Sequence, residues 1–114
     1  MPYVNVNLST TLKQEQKTQV KAKIGELISL IPGKEEESTM VSVVDNYPLY
    51  FGGKEMSNGA FIDVRIFGST EQKNKEVFTA AVFDALEKLL GISKNDIYMN
   101  IFEMSNWGVR GKFV

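Results

Sequence analysis

Tyr3-Val4-Asn5-Val6-Asn7-Leu8 and Phe61-Ile62-Asp63-Val64-Arg65-Ile66-Phe67 are the stretches on which the fold turns. In each, every second residue is aliphatic: Val4, Val6 and Leu8 in the first, Ile62, Val64 and Ile66 in the second. A period of two marks a strand with one face in a core. Helical patterns follow both. After the first strand, Ser9, Thr10 and Thr11 offer N-caps, and Thr11 with Gln14 fits a capping box. Leu12, Val20, Ile24, Leu27, Ile28 and Ile31 then recur at helical spacings to about Leu30, where Pro32-Gly33 stops the run. After the second strand, Ser69 with Gln72 fits another box, and Val77, Phe78, Ala81, Val82, Ala85, Leu86, Leu89 and Leu90 line one stripe as far as Gly91. Each helix leads to a further strand. Thr39 to Val44 is rich in β-branched residues; Ile97 to Glu103 puts Ile97, Met99 and Ile101 on one face and Tyr98, Asn100 and Phe102 on the other.

Sliding the sequence against itself so that Tyr3 falls on Phe61 also puts Gly33 on Gly91 and Met40-Val41-Ser42-Val43 on Tyr98-Met99-Asn100-Ile101. The chain is thus a β-α-β unit used twice, with halves of about 1–50 and 60–104 in a single domain spanning 1–114. The expected class is α+β, a two-layer sandwich in which a four-stranded mixed sheet carries both helices on one face. The other face would present Tyr3, Asn5, Asn7, Met40, Ser42, Phe61, Asp63, Arg65, Phe67, Tyr98, Asn100 and Phe102. That mixture is too apolar for open solvent and too polar for a private core, so the face is expected to be covered by copies of the chain. The tail from Ser105 to Val114 is too short for another layer, and it could add a strand to a neighbour's sheet edge.

Composition narrows the chemistry. The 114 residues include 13 Lys plus Arg, 14 Asp plus Glu, no cysteine and no histidine. Disulfides, thiolate nucleophiles and sulfur-type zinc sites are excluded, and neither a metal nor a cofactor is expected. The near-neutral charge and the lack of a basic run argue against nucleic acid and anionic membranes as partners. Met1-Pro2-Tyr3-Val4-Asn5-Val6 has neither the basic nor the apolar region of a signal peptide, so the expected location is the cytoplasm, with non-classical secretion open. Without histidine, the group that titrates nearest neutrality is an amino terminus, whose reference pKa is about 7.7 to 8.0.

Met1-Pro2 at the start, Gly33-Lys34 after the first helix, Phe51-Gly52-Gly53 after the second strand and Ile97-Tyr98-Met99-Asn100-Ile101-Phe102-Glu103-Met104 near the end occur together, in order and at matching spacings. Over nearly its whole length the chain resembles the macrophage migration inhibitory factor branch of the tautomerase superfamily. The resemblance implies a homotrimer whose sheets surround a central channel, and interconversion of the keto and enol forms of phenylpyruvate-like acids or dopachrome-like compounds. It also implies that Pro2, exposed by removal of Met1, is the catalytic base, and that Lys34 holds the substrate carboxylate. Tyr98 and Asn100 would come from the adjacent subunit, and Phe67 falls where relatives usually carry Ile before Gly68. Ser38 stands where some relatives have a pocket Tyr, and the Cys-x-x-Cys of the vertebrate cytokine is absent, which removes its thiol chemistry.

The physical logic of such a site is independent of the name. An amine takes a proton from carbon only when unprotonated, and apolar burial with a cation nearby favours that state. Tyr3, Phe67, Tyr98 and Phe102 are candidates for the apolar surround, with Lys34 as the cation. The enolate oxygen then needs a donor, either the Asn100 amide or the Tyr98 hydroxyl. For Tyr98 and Asn100, packing in a subunit interface is the competing role; for Arg65, pairing with Asp63 or a neighbouring carboxylate is preferred to substrate binding. The function expected is a cofactor-independent tautomerase acting on small 2-keto acids or their enols. The alternative is a non-catalytic, trimeric cytokine-like or interaction protein with a vestigial pocket.

Overall fold

The computed structural model describes residues Met1–Val114. Its elements are β1 (Tyr3–Leu8), α1 (Gln14–Leu27), β2 (Met40–Val44), β3 (Tyr50–Phe51), β4 (Lys54–Glu55), β5 (Ala60–Phe67), α2 (Gln72–Leu90), β6 (Ile97–Met104), β7 (Gly108–Val109) and β8 (Lys112–Phe113). The main sheet has four strands in the order β2-β1-β5-β6. β1 runs parallel to β2 and β5 parallel to β6, while the central pair, β1 and β5, is antiparallel. Each β-α-β unit thus contributes one parallel pair, and the two units meet head to tail. β3 and β4 form a small hairpin turning through Gly52-Gly53, and β7 and β8 a second one in the tail.

The alternation read in the sequence is the alternation of burial. Val4, Val6, Leu8, Ile62, Val64 and Ile66 from the central strands join Val20 and Ile24 of α1 and Phe78, Val82 and Leu86 of α2 in a single core cluster. Both helices therefore cover the same sheet face, as expected. On the opposite face Met40, Phe67, Tyr98 and Phe102 stay exposed. Asn7 departs from that expectation: it is buried and donates from Nδ2 to the Phe61 carbonyl oxygen at 3.3 Å.

The helix starts also differ from the sequence reading. Neither the Thr11/Gln14 nor the Ser69/Gln72 box forms. α1 begins at Gln14 because Leu12 is drawn into the core and its N–H donates to Asp45 Oδ2 at 2.8 Å, which keeps the preceding chain extended. Gln16 then takes the capping role, its Oε1 accepting from the Lys13 N–H at 2.8 Å. At α2 the extended N-cap is Glu71, and the Thr70 N–H donates to Glu103 Oε2 of β6 at 2.8 Å. A tertiary acceptor has replaced a local one in both places. α1 ends at Leu27, and the apolar stripe continues in a tighter 3-10 turn, Ile28–Leu30. Gly91 closes α2 in the left-handed conformation, φ 68°, as its position implied.

Phe78 is fully buried in this core, so Phe78→Ala is expected to destabilise the fold by about 3–5 kcal/mol, measurable by denaturant unfolding. Asp45 supplies a pH dependence. The Leu12 N–H and the Lys17 ammonium, 3.0 Å from Oδ1, hold its carboxyl below the usual range. A carboxyl depressed in the folded state adds stability above its unfolded pKa of about 3.9 and loses it as the pH falls through the lower folded value. Asp45→Asn is therefore expected to be less stable than wild type at neutral pH, with the gap closing on acidification below about pH 4.

Candidate active site

Pro2 is buried immediately before β1, in the middle of the sheet. Its carbonyl accepts from the Met40 N–H at 3.0 Å, and the next residue, Tyr3, is paired with Met40 on one side and Arg65 on the other. The antiparallel register, carried two residues further, brings the start of the chain level with Phe67 at the end of β5. Lys34 reaches the same place. Its N–H donates to the Ile31 carbonyl at 3.1 Å in the turn that stops the first helix, and its Nζ donates to the Phe67 carbonyl oxygen at 2.8 Å. Pro2, Lys34 and Phe67 are thus brought together within one chain.

The electrostatics of this corner favour a neutral amine. The amino group that begins the chain, on Met1, has a pKa below its ordinary value, first because burial penalises the ammonium and second because Lys34 adds positive charge nearby. Met1 itself is only half-buried, whereas Pro2 is fully buried. An amine moved one residue inward would feel the desolvation more strongly.

Tyr98 and Asn100 are elsewhere. Tyr98 is paired with Phe61, toward the opposite end of the sheet from Pro2, and Asn100 with Asp63, at mid-sheet and two strands across from β1. Tyr98 is separated from Pro2 by roughly 16 Å along the strands and 10 Å across them, from rises of about 3.3 Å per residue and strand spacings of about 4.8 Å. Both side chains are exposed, and the Tyr98 ring meets the Phe51 ring edge to face, 5.4 Å between centroids. Asn100 belongs to a row of polar residues, Ser42, Asn5, Asp63 and Asn100, crossing all four strands. Ser42 Oγ donates to Asn5 Oδ1 at 2.7 Å and accepts from the Tyr3 hydroxyl at 2.8 Å. Arg65 Nη2 lies 3.3 Å from Asp63 Oδ2, the pairing preferred for it on sequence grounds, and its guanidinium stands over the Phe102 ring.

A cavity of about 570 Å³ opens beside Pro2, lined partly by residues that the sequence reading did not place there. Trp107, Val109 and Arg110 reach it because the tail forms a hairpin: β7 and β8 pair through a two-residue turn at Arg110-Gly111, both with positive φ (52° and 81°). The signal available in the sequence was Gly111 between short β-prone stretches, whereas Arg110 at positive φ gave none. Ser38 and Met40 complete the wall near β2.

Residues 1–112 match the macrophage migration inhibitory factor family. The chain belongs to this family. Among solved structures, the MIF2 of Leishmania major superposes with a TM-score of 0.89 at 23% identity, covering 100% of this chain and 97% of that one. The macrophage migration inhibitory factor-like protein of Entamoeba histolytica gives 0.87 at 28% identity, with 99% and 98% covered. The macrophage migration inhibitory factor homologue of Prochlorococcus marinus gives 0.85 at 21%, with 97% of each chain covered. A structure described as Pt0534 inactivated by 2-oxo-3-pentynoate also shares the fold, with a TM-score of 0.85 at 18% identity over 96% of this chain and 92% of that one. No protein of curated function matches the chain.

Burial is the larger cause of the lowered amine pKa and Lys34 the smaller. Lys34→Gln is therefore expected to raise that pKa while leaving it below the ordinary value, as read by NMR titration of the ¹⁵N-labelled amino group. An unchanged titration would show that Lys34 has no electrostatic hold on this corner.

Proposed function

We propose that the chain, once Met1 is removed, is a cofactor-independent keto-enol tautomerase in which the secondary amine of Pro2 is the base. The observation that carries this reading is the burial of Pro2 at a cavity mouth, next to the Met1 amino group, whose pKa burial and then Lys34 lower. The substrate class is small 2-keto acids of the phenylpyruvate type. Their carboxylate matches Lys34, and the apolar part of the cavity, with Tyr3, Met40, Trp107 and Val109, matches an aryl or alkyl group.

In the reaction the neutral Pro2 nitrogen takes a proton from the carbon next to the keto group. The electron pair of the broken C–H bond moves to form the enolate, whose oxygen carries the charge. The protonated amine then delivers its proton to that oxygen, and the base is regenerated. Lys34 binds the carboxylate and disfavours the ammonium, so one side chain orients the acid and helps keep the base ready.

Tyr98 and Asn100 enter through assembly. Their distance from Pro2 within one chain means that a second copy has to supply them, in keeping with a homotrimer closed around the exposed sheet faces. There the Asn100 amide or the Tyr98 hydroxyl would donate to the enolate oxygen, and Phe67 would form part of the wall beside Lys34. The absence of the pocket Tyr at Ser38 leaves that side wider and more polar.

The test is phenylpyruvate enolisation with Met1-free protein, verified by mass spectrometry, against Pro2→Ala. Wild type is expected to turn over with a rising acid limb set by the amine, and Pro2→Ala to lose at least about 100-fold, the lower end of what a positioned base contributes. Equal rates would overturn the assignment. Mass in solution checks the trimer independently.

A further inference from the structure

The two arginines of this chain, Arg65 and Arg110, both line the cavity beside Pro2. Their situations differ. Arg65 is occupied by Asp63 and by the Phe102 ring. Arg110 enters none of the chain's ion pairs, and its guanidinium donates to no protein acceptor.

Its position is nonetheless well defined. Arg110 is the first residue of a two-residue turn whose strands are closed by the Val114 N–H donating to the Trp107 carbonyl at 2.7 Å. The Trp107 indole N–H in turn donates to the Met104 carbonyl at 3.0 Å, tying the hairpin to the end of β6. No carboxylate lines the cavity itself. Glu37 faces Arg110 across the adjoining outer hollow, without pairing to it. Lys34 lines neither space, being held at the Phe67 carbonyl. The two cations therefore do not line one cavity.

A planar guanidinium with free donors, at a cavity wall without carboxylates, fits a second planar anion. We infer that Arg110 is a specificity residue of this site, binding a second acidic group, so that the pocket favours dicarboxylic 2-keto acids over monocarboxylic ones. The inference rests on the tautomerase reading for the first carboxylate and the keto group, and adds a subsite at the Arg110 wall of the cavity beside Pro2. Bound this way, an acid would bridge Lys34 and Arg110 with its keto carbon held near the amine.

A matched pair of probes tests it: 2-oxoglutarate, and 2-oxopentanoate, which has the same chain length but ends in methyl. Affinities are measured by calorimetry, and quenching of Trp107, the single tryptophan, reports whether the ligand enters this cavity. Wild type is expected to bind 2-oxoglutarate at least about tenfold more tightly, a step of the size expected for one charge-assisted contact. Arg110→Asn, which removes the charge but tolerates positive φ, should reduce the ratio toward one, and Arg110→Lys should restore part of it. Glu37→Gln, by removing the one competing carboxylate, should tighten 2-oxoglutarate further. Equal affinities in wild type, failure of 2-oxoglutarate to bind, or an Arg110→Asn that weakens both acids alike would overturn the inference. Phenylpyruvate turnover by Met1-free protein separates the two readings: turnover without discrimination removes only the Arg110 subsite, and discrimination without turnover removes only the tautomerase.

Discussion

The antiparallel pairing of β1 with β5 is the contact on which the rest of the molecule depends. Each β-α-β unit alone has two parallel strands and one helix, too little to bury the apolar face of either element. Joining the units through their first strands makes one sheet of four and brings both helices onto one face. Val4, Val6, Leu8, Ile62, Val64 and Ile66 then share a single core. Because the central pair is antiparallel, the beginning of β1 meets the end of β5. That juxtaposition carries Pro2 to Phe67 and gives Lys34 a carbonyl to hold.

The same pairing explains why the candidate chemistry is divided. β5 and β6 are parallel, so the start of β6, with Tyr98, lies at the sheet end that β1 leaves last. No rotamer of Tyr98 reaches Pro2 from there, and the separation is a consequence of strand direction. A site that used both residues would have to be built from more than one chain, which would tie it to the covering of the exposed face. Met40, Phe67, Tyr98 and Phe102 are the apolar members of that face, while the row Ser42, Asn5, Asp63 and Asn100 keeps its middle polar.

Much of this was legible in the residues. Period-two alternation located β1, β5 and β6 within a residue or so, and the apolar stripes located both helices, because one-sided burial imposes its period directly on the sequence. The helix starts were not legible. Thr11 and Ser69 looked like caps by local rules, but the Leu12 N–H goes to Asp45 and the Thr70 N–H to Glu103, residues far away along the chain. The hairpin in the tail was not read from the sequence either. Strand-forming residues near the end of a chain can pair with each other as well as with a neighbour, and the turn at Arg110-Gly111, with positive φ at both residues, joins the two short strands.

By itself the sequence determined the alternation, the doubled β-α-β plan and the lack of any His or Cys, which points acid–base chemistry at an amino terminus. It also carried the spaced motifs that place the chain in its family. The tertiary structure alone decided that Pro2 is buried while Met1 is not, that Lys34 approaches it by bonding to the Phe67 carbonyl, and that Arg110 turns back to the same cavity. Those facts depend on strand direction and on hydrogen bonds between residues distant in the chain. A local pattern of side chains holds no record of either.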